Sequence, residues 1–173
     1  MSDLNFTISR ETIAESSNIE KLHDRAFGPG RFARTASRMR EMGKDDPRLS
    51  FIAKAGTLLV GSIRQTPVNV SGLTCLLLGP LTVEPAFESK GIGRALMKKS
   101  LEIAAQHGYK LVLLVGDLPY YSKTGFKQVP MGQITLPGPV DPARLLYLEL
   151  QEEILNTIKT GSLAIQVHSN IQK

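Results

Sequence analysis

Leu76-Leu77-Leu78-Gly79-Pro80-Leu81-Thr82-Val83, followed closely by Glu88-Ser89-Lys90-Gly91-Ile92-Gly93-Arg94, is the stretch on which the fold of this chain turns. The first run is apolar and of strand length, and reads as a buried strand. After the second, Ile92, Ala95, Leu96 and Ile103 recur at i, i+3, i+4 and i+11, which predicts a helix with one apolar face. A strand, a glycine-bearing loop and a helix in that order make a candidate anion site. The first N–H groups of a helix have no internal partner, and the helix dipole places partial positive charge among them. Gly91 and Gly93 take away side chains that would keep a phosphate from those amides. The same glycines also suit a tight turn with close helix–sheet packing. No Gly-Lys-Ser/Thr of a P-loop is present, nor the third glycine and following acidic residue of a dinucleotide fingerprint. Within Leu73 to Val83, Pro80 cannot donate to a ladder, so pairing must bulge, bend or lose a neighbour there.

Outward from this centre, the helix is predicted to end at His107-Gly108, with glycine at the position that favours a left-handed residue. A second apolar strand, Leu111 to Val115, is closed by Gly116-Asp117. The run Leu118 to Thr124 reads as a short turn, and a third strand is expected to open at Gly125-Phe126.

Taken together, these segments resemble the GNAT superfamily of N-acetyltransferases. The loop is similar to that family's Gln/Arg-x-x-Gly-x-Gly/Ala pyrophosphate loop, and Tyr121-Ser-Lys-Thr-Gly-Phe126 to its second motif, an aromatic residue shortly before Gly-Phe. The Leu-Gly-Pro-Leu-Thr-Val and Leu-Val-Gly-Asp runs further resemble a bacterial branch of predicted acetyltransferases, the YhbS-like group, from about Phe27 to Leu150. Glu88 departs from the pattern. A carboxylate beside a pyrophosphate is electrostatically unfavourable, and Lys90 and Arg94 would offset it.

The resemblance implies an α/β (α+β) fold in a single GNAT-like domain. Its mixed, mostly antiparallel central sheet would be flanked by helices and splayed at a bulge near Gly79-Pro80 into a V-shaped cleft. Residues 1–150 would form this acetyltransferase domain and 151–173 a C-terminal extension packed on it. The expected acyl donor is acetyl-coenzyme A, held at its pyrophosphate by Ser89, Lys90, Gly91, Ile92, Gly93 and Arg94. Its pantetheine arm would lie along Leu81, Thr82 and Val83 as an added strand, with the Val83 amide polarising the thioester. Tyr121 is the expected general acid, with the adjacent Tyr120 as runner-up, because the two rings cannot both face one cleft. A phenol near pKa ~10 can protonate a thiolate of pKa ~8.5 only slightly uphill. For the base, Asp117, Glu84, His23 and a water relay all stay open; capping of the following helix is the alternative role of Asp117. The acceptor would be a small-molecule amine or a protein amino group, and the protein a monomer or homodimer. An acyl-coenzyme A sensor without catalysis is the alternative reading.

The rest of the chain fits one soluble domain. Its 173 residues are 42% hydrophobic and 21% charged, with a formal net charge of +5. No basic run suggests nucleic acid, and no apolar run approaches the ~20 residues of a membrane span. The start of the chain lacks a basic-then-apolar signal, so a cytoplasmic protein is expected. One cysteine and three histidines offer no metal-ligand spacing, and Cys75 reads as a small buried hydrophobe. Phe6 to Arg10 reads as a first strand, and Ile19 to Phe27 as a helix capped from Ser16-Ser17-Asn18. Arg31 to Met42 reads as an arginine-bearing helix, either a solvated face or a rim for substrate. Leu49 to Ala55 and Thr57 to Gln65 predict two antiparallel strands, broken after by Pro67 and Asn69. A Pro- and Gly-rich loop from Gln133 to Pro142 precedes a strand from Arg144 to Leu150, and the tail predicts a helix at Glu152–Lys159 and a strand at Ser162–His168.

Overall fold

The computed structural model describes residues 4–28, 38–39 and 43–165. At its middle lies a strand β4, Leu73–Val83, preceded in chain order by β1 (Thr7–Arg10), helix α1 (Ser16–Phe27), β2 (Phe51–Ala55) and β3 (Leu58–Val70). Helix α2 (Ile92–Gln106), β5 (Leu111–Val115) and a one-turn helix α3 (Leu118–Tyr121) come next. Short strands β6 (Lys127–Gln128) and β7 (Ile134–Thr135) lead to β8 (Leu145–Glu149) and β9 (Gly161–Ile165). The main sheet runs in the order β1-β2-β3-β4-β5-β8-β6, and every neighbouring pair in it is antiparallel except β4–β5. This is the mixed, mostly antiparallel sheet flanked by helices that the sequence predicts.

Alternation along β4 sends its side chains into two cores. Leu76 and Leu78 pack with Val112, Leu114 and Phe126 against α2, whose Ile92, Leu96, Met97 and Ala104 are buried. Cys75 and Leu77 point to the opposite face with Val68, Val70, Leu111 and Leu113. Each such buried aliphatic contributes about 1.5–3 kcal/mol of transfer free energy. Ile19 and Leu22 of α1 pack on Ile52 and Leu59. Burial pushes the Cys75 thiol up to about 12, which keeps it protonated at neutral pH and fits the reading of a small hydrophobe.

Several elements differ from expectation for physical reasons. β3 runs on through Pro67 and Asn69 instead of breaking. Pairing with β2 has ended at Ile63 and pairing with β9 begins at Val68, so the missing N–H of Pro67 falls where no second ladder needs it. Before α1 stands a 3-10 turn, Ile13–Glu15, closed by a reciprocal Thr12–Glu15 capping box; Ser16, Ser17 and Asn18 lie inside the helix rather than capping it. Leu118 to Thr124 is helical, and the following strand starts at Lys127, two residues later than predicted. The tail helix is a single 3-10 turn, Ile154–Thr157. The final strand begins at Gly161 and pairs with both β3 and β7, the predicted extension to His168 lying outside the described residues. Of the arginine-bearing stretch only Arg38 and Met39 are described, both helical.

The loop before β2 is tied to the far end of α2. Asp46, 6% exposed, accepts hydrogen bonds from the Arg48 amide at 2.9 Å, from Arg48 Nη2 at 2.6 Å and from Tyr109 Oη at 3.1 Å. The Arg48 guanidinium, more than any other group, holds this carboxyl below its ordinary 3.8. A carboxylate with a depressed folded pKa adds stability above its unfolded pKa, and that contribution is lost as pH falls through the folded value. Asp46→Asn is therefore expected to lower thermal stability at neutral pH and to flatten the acid limb below about pH 4, measured as Tm against pH. An acid limb as steep as in the parent protein would place the sensitivity elsewhere.

Candidate active site

The parting of two strands creates the site. β4 and β5 pair only at Leu76↔Val112 and Leu77↔Leu113. Beyond that point β5 stays with β8 as far as Val115↔Leu145, while β4 stays with β3 as far as Gly61↔Val83. The register between β3 and β4 shifts as it passes Gly79 and Pro80: one residue of β3, Arg64, faces these two of β4. The bulge predicted from Pro80 thus sits at the start of the opening.

Which main-chain groups edge the gap follows from the ladder. The Glu84 amide donates to Val60 O at 2.8 Å, so in antiparallel alternation the backbone of Thr82 also turns toward β3. Leu81 and Val83 then direct their N–H and C=O groups into the opening. Of the three β4 residues expected along the pantetheine arm, these two turn backbone to the opening, whereas Thr82 spends its own on β3 and buries its side chain.

Helix α2 meets the opening with its N-terminus. Gly61 of β3 lets the helix sit close, since a Cβ there would lie 2.9 Å from Ile92 Cγ2 and from Leu96 Cδ1. Gly91 is the N-cap in a left-handed conformation, φ 84°, and no side chain caps the helix. Ser89, with φ 61°, is left-handed as well. The N–H groups of Ile92, Gly93 and Arg94 fall in the turn that has no intrahelical acceptor. The two glycines do different things. A Cβ at Gly91 would meet nothing within 4 Å, so glycine serves the backbone angle, while a Cβ at Gly93 would lie 2.6 Å from Tyr120 Oη and 3.5 Å from Val83 Cγ2. Lys90 and Arg94 are exposed at the rim beside Glu88.

The adjacent tyrosines on α3 diverge. Tyr121 lays its ring against Gly116 at the end of β5, where a Cβ would approach its Cε2 too closely, and stands edge-on to Phe126 at 5.9 Å. Tyr120, edge-on to Tyr121 at 4.9 Å, reaches instead toward the start of α2 and is 49% exposed. Gly116 and the direction of Tyr120 were not readable from the sequence, because both depend on close approaches between segments distant along the chain.

The acidic candidates are engaged by arginines. Glu84 Oε2 accepts from Arg25 Nη2 at 2.6 Å and Nε at 3.0 Å, a link that ties the last turns of α1 to the exit of β4. Asp117 does not cap α3 through its side chain, contrary to expectation; its carbonyl accepts from the Tyr120 and Tyr121 amides, and its carboxylate lies 3.4 Å from Arg144 Nε. His23 is buried under α1, 3.9 Å from Glu20. Among the described residues no group of three or more His, Cys, Asp or Glu could hold a metal ion, and no helix is long and apolar enough to cross a membrane.

This mixed sheet, opened between its two parallel neighbours beside a glycine-led helix start, shares its fold with a solved GNAT family N-acetyltransferase. The acetyltransferase (GNAT) family matches residues 17–126, and the chain belongs to that family. It is 28% identical over 126 residues to the uncharacterized N-acetyltransferase YjhQ of Escherichia coli strain K12, covering 70% of each chain. To the uncharacterized N-acetyltransferase YhbS of the same strain it is 26% identical over 114 residues, 65% of this chain and 68% of that one. The crystal structure of Escherichia coli YhbS in complex with CoA superposes with a TM-score of 0.81 at 25% identity, covering 94% of this chain and 91% of the other. A GNAT family acetyltransferase from Brucella melitensis in complex with acetyl-CoA shares the fold, with a TM-score of 0.69 at 23% identity over 95% and 97% of the two chains.

Proposed function

We propose that this protein transfers an acetyl group from acetyl-coenzyme A to a primary amine, on a small molecule or a protein, by direct attack in the gap between β4 and β5. The observation that carries the reading is the separation of those strands after Leu77 and Leu113 beside an uncapped helix N-terminus. The amides of Ser89 to Arg94 receive the pyrophosphate, a role for which partial positive charge and absent side chains suit them. Leu81 and Val83 pair with the pantetheine amides, and the Val83 N–H polarises the thioester carbonyl. As the amine nitrogen bonds to the carbonyl carbon and the C–S bond breaks, Tyr121 gives its phenolic proton to the departing thiolate. Its position supports that role: the ring is fixed against Gly116, where β5 has left β4. With Glu84 bound to Arg25 and Asp117 beside Arg144, water is the reading we favour for the base. Purified protein given acetyl-coenzyme A, an amine panel and a thiol-trapping dye should release thiol only when an amine is present. Binding of coenzyme A without amine-dependent release would favour the sensor instead.

A further inference from the structure

The Tyr120 hydroxyl is in an unusual place for a half-exposed tyrosine. It lies over Gly93, the second residue of α2, so near that a Cβ there would stand 2.6 Å away, with Val83 and Leu81 side chains at 3.5 and 3.9 Å from the same point. It therefore occupies the throat where the helix start meets the open edge of β4. No hydrogen bond holds this hydroxyl among the described residues. The amides at the start of α2 have no side-chain cap either. A phenol O–H and a set of backbone N–H groups thus stand side by side at the helix start, all donors without a protein acceptor among the described residues.

Accepting the reading of the loop as a pyrophosphate site, we propose that Tyr120 is a binding residue for the acyl donor, its hydroxyl donating to the pyrophosphate from beside the first turn of the helix. Phosphate oxygens carry several lone pairs and can satisfy both sets of donors at once. The role needs a protonated phenol. Burial, foremost, raises the Tyr120 pKa, with Glu88 acting the same way against Arg94, so the proton is retained at neutral pH. Gly93 is then glycine for a second reason beyond ligand access, since any side chain would displace the phenol. The neighbouring tyrosines divide the work: Tyr120 holds the carrier and Tyr121 acts at the sulfur.

Tyr120→Phe keeps the ring and its edge contact with Tyr121, so folding is not the variable; the melting temperature checks this. The variant is expected to raise the Kd for coenzyme A, measured by calorimetry, and the KM for acetyl-coenzyme A by roughly 10-fold to 100-fold, with kcat retained. With acetyl-pantetheine, which has no phosphates, kcat/KM measured below saturation should be the same for variant and parent. Unchanged coenzyme A affinity overturns the inference, as does an equal loss with both donors, which would assign Tyr120 to packing. Failure of the parent protein itself to bind coenzyme A would sink the reading of the loop along with it.

Discussion

Tyr121→Phe is expected to lower kcat by roughly 10-fold to 1000-fold while leaving the KM for acetyl-coenzyme A little changed. Phenylalanine keeps the contacts that position the ring, edge-on to Phe126 and against Gly116, so the substitution isolates the hydroxyl. Steady-state kinetics with the best amine found is the measurement. A kcat equal to that of the parent protein would return Tyr121 to the core, where its ring already packs beside the cluster around α2. Gly116→Ala should lower kcat in the same direction by a different route, because a methyl group there collides with the Tyr121 ring. The pattern is the mirror image of that expected for the neighbouring tyrosine, for which KM moves and kcat holds.

The second large effect is expected at the start of α2. Gly93→Val should weaken coenzyme A binding at least ~10-fold, because its branches enter the throat between Tyr120 Oη and Val83. Stability should suffer little, since the group it meets first is the tip of a half-exposed tyrosine free to swing outward. Gly91→Val contrasts with it. No protein atom meets the side chain but φ is 84°, so stability should fall by about 1–2 kcal/mol, in addition to the loss of coenzyme A binding expected from a branched side chain beside the loop amides. Gly91→Asn, which tolerates the left-handed conformation, should recover most of that stability. Calorimetric titration with coenzyme A and denaturant unfolding separate the pair. Equal stability losses at both positions would mean that the two glycines share one role.

The contrast between these glycines marks how far the sequence could be read. Strand β4, the loop and helix α2 were legible because their signals are local: an apolar run, a turn and a helical period. Pro80 announced a disturbed ladder and the structure places the register shift beside it. The family resemblance supplied the cleft, which no local pattern states. What stayed hidden depends on partners far along the chain. Pro67 looked like a strand breaker because its harmlessness rests on where β2 stops and β9 starts. Glu84 looked like a candidate base, and its partner Arg25 lies 59 positions earlier on α1. Asp117 had the sequence of a capping residue, yet its carboxylate turns to Arg144, which stands just before β8, the strand paired with β5.

The edge that β4 shows to the gap consists of peptide groups at Leu81 and Val83 rather than side-chain atoms. Ordinary point changes there, Val83→Ile or Leu81→Met for instance, repack the cluster against α2 but leave the donors and acceptors where they are. Proline alone deletes an N–H outright. On the proposed reading, the grip on the pantetheine arm would be carried by chain geometry and would persist through wide drift in the residues that line it.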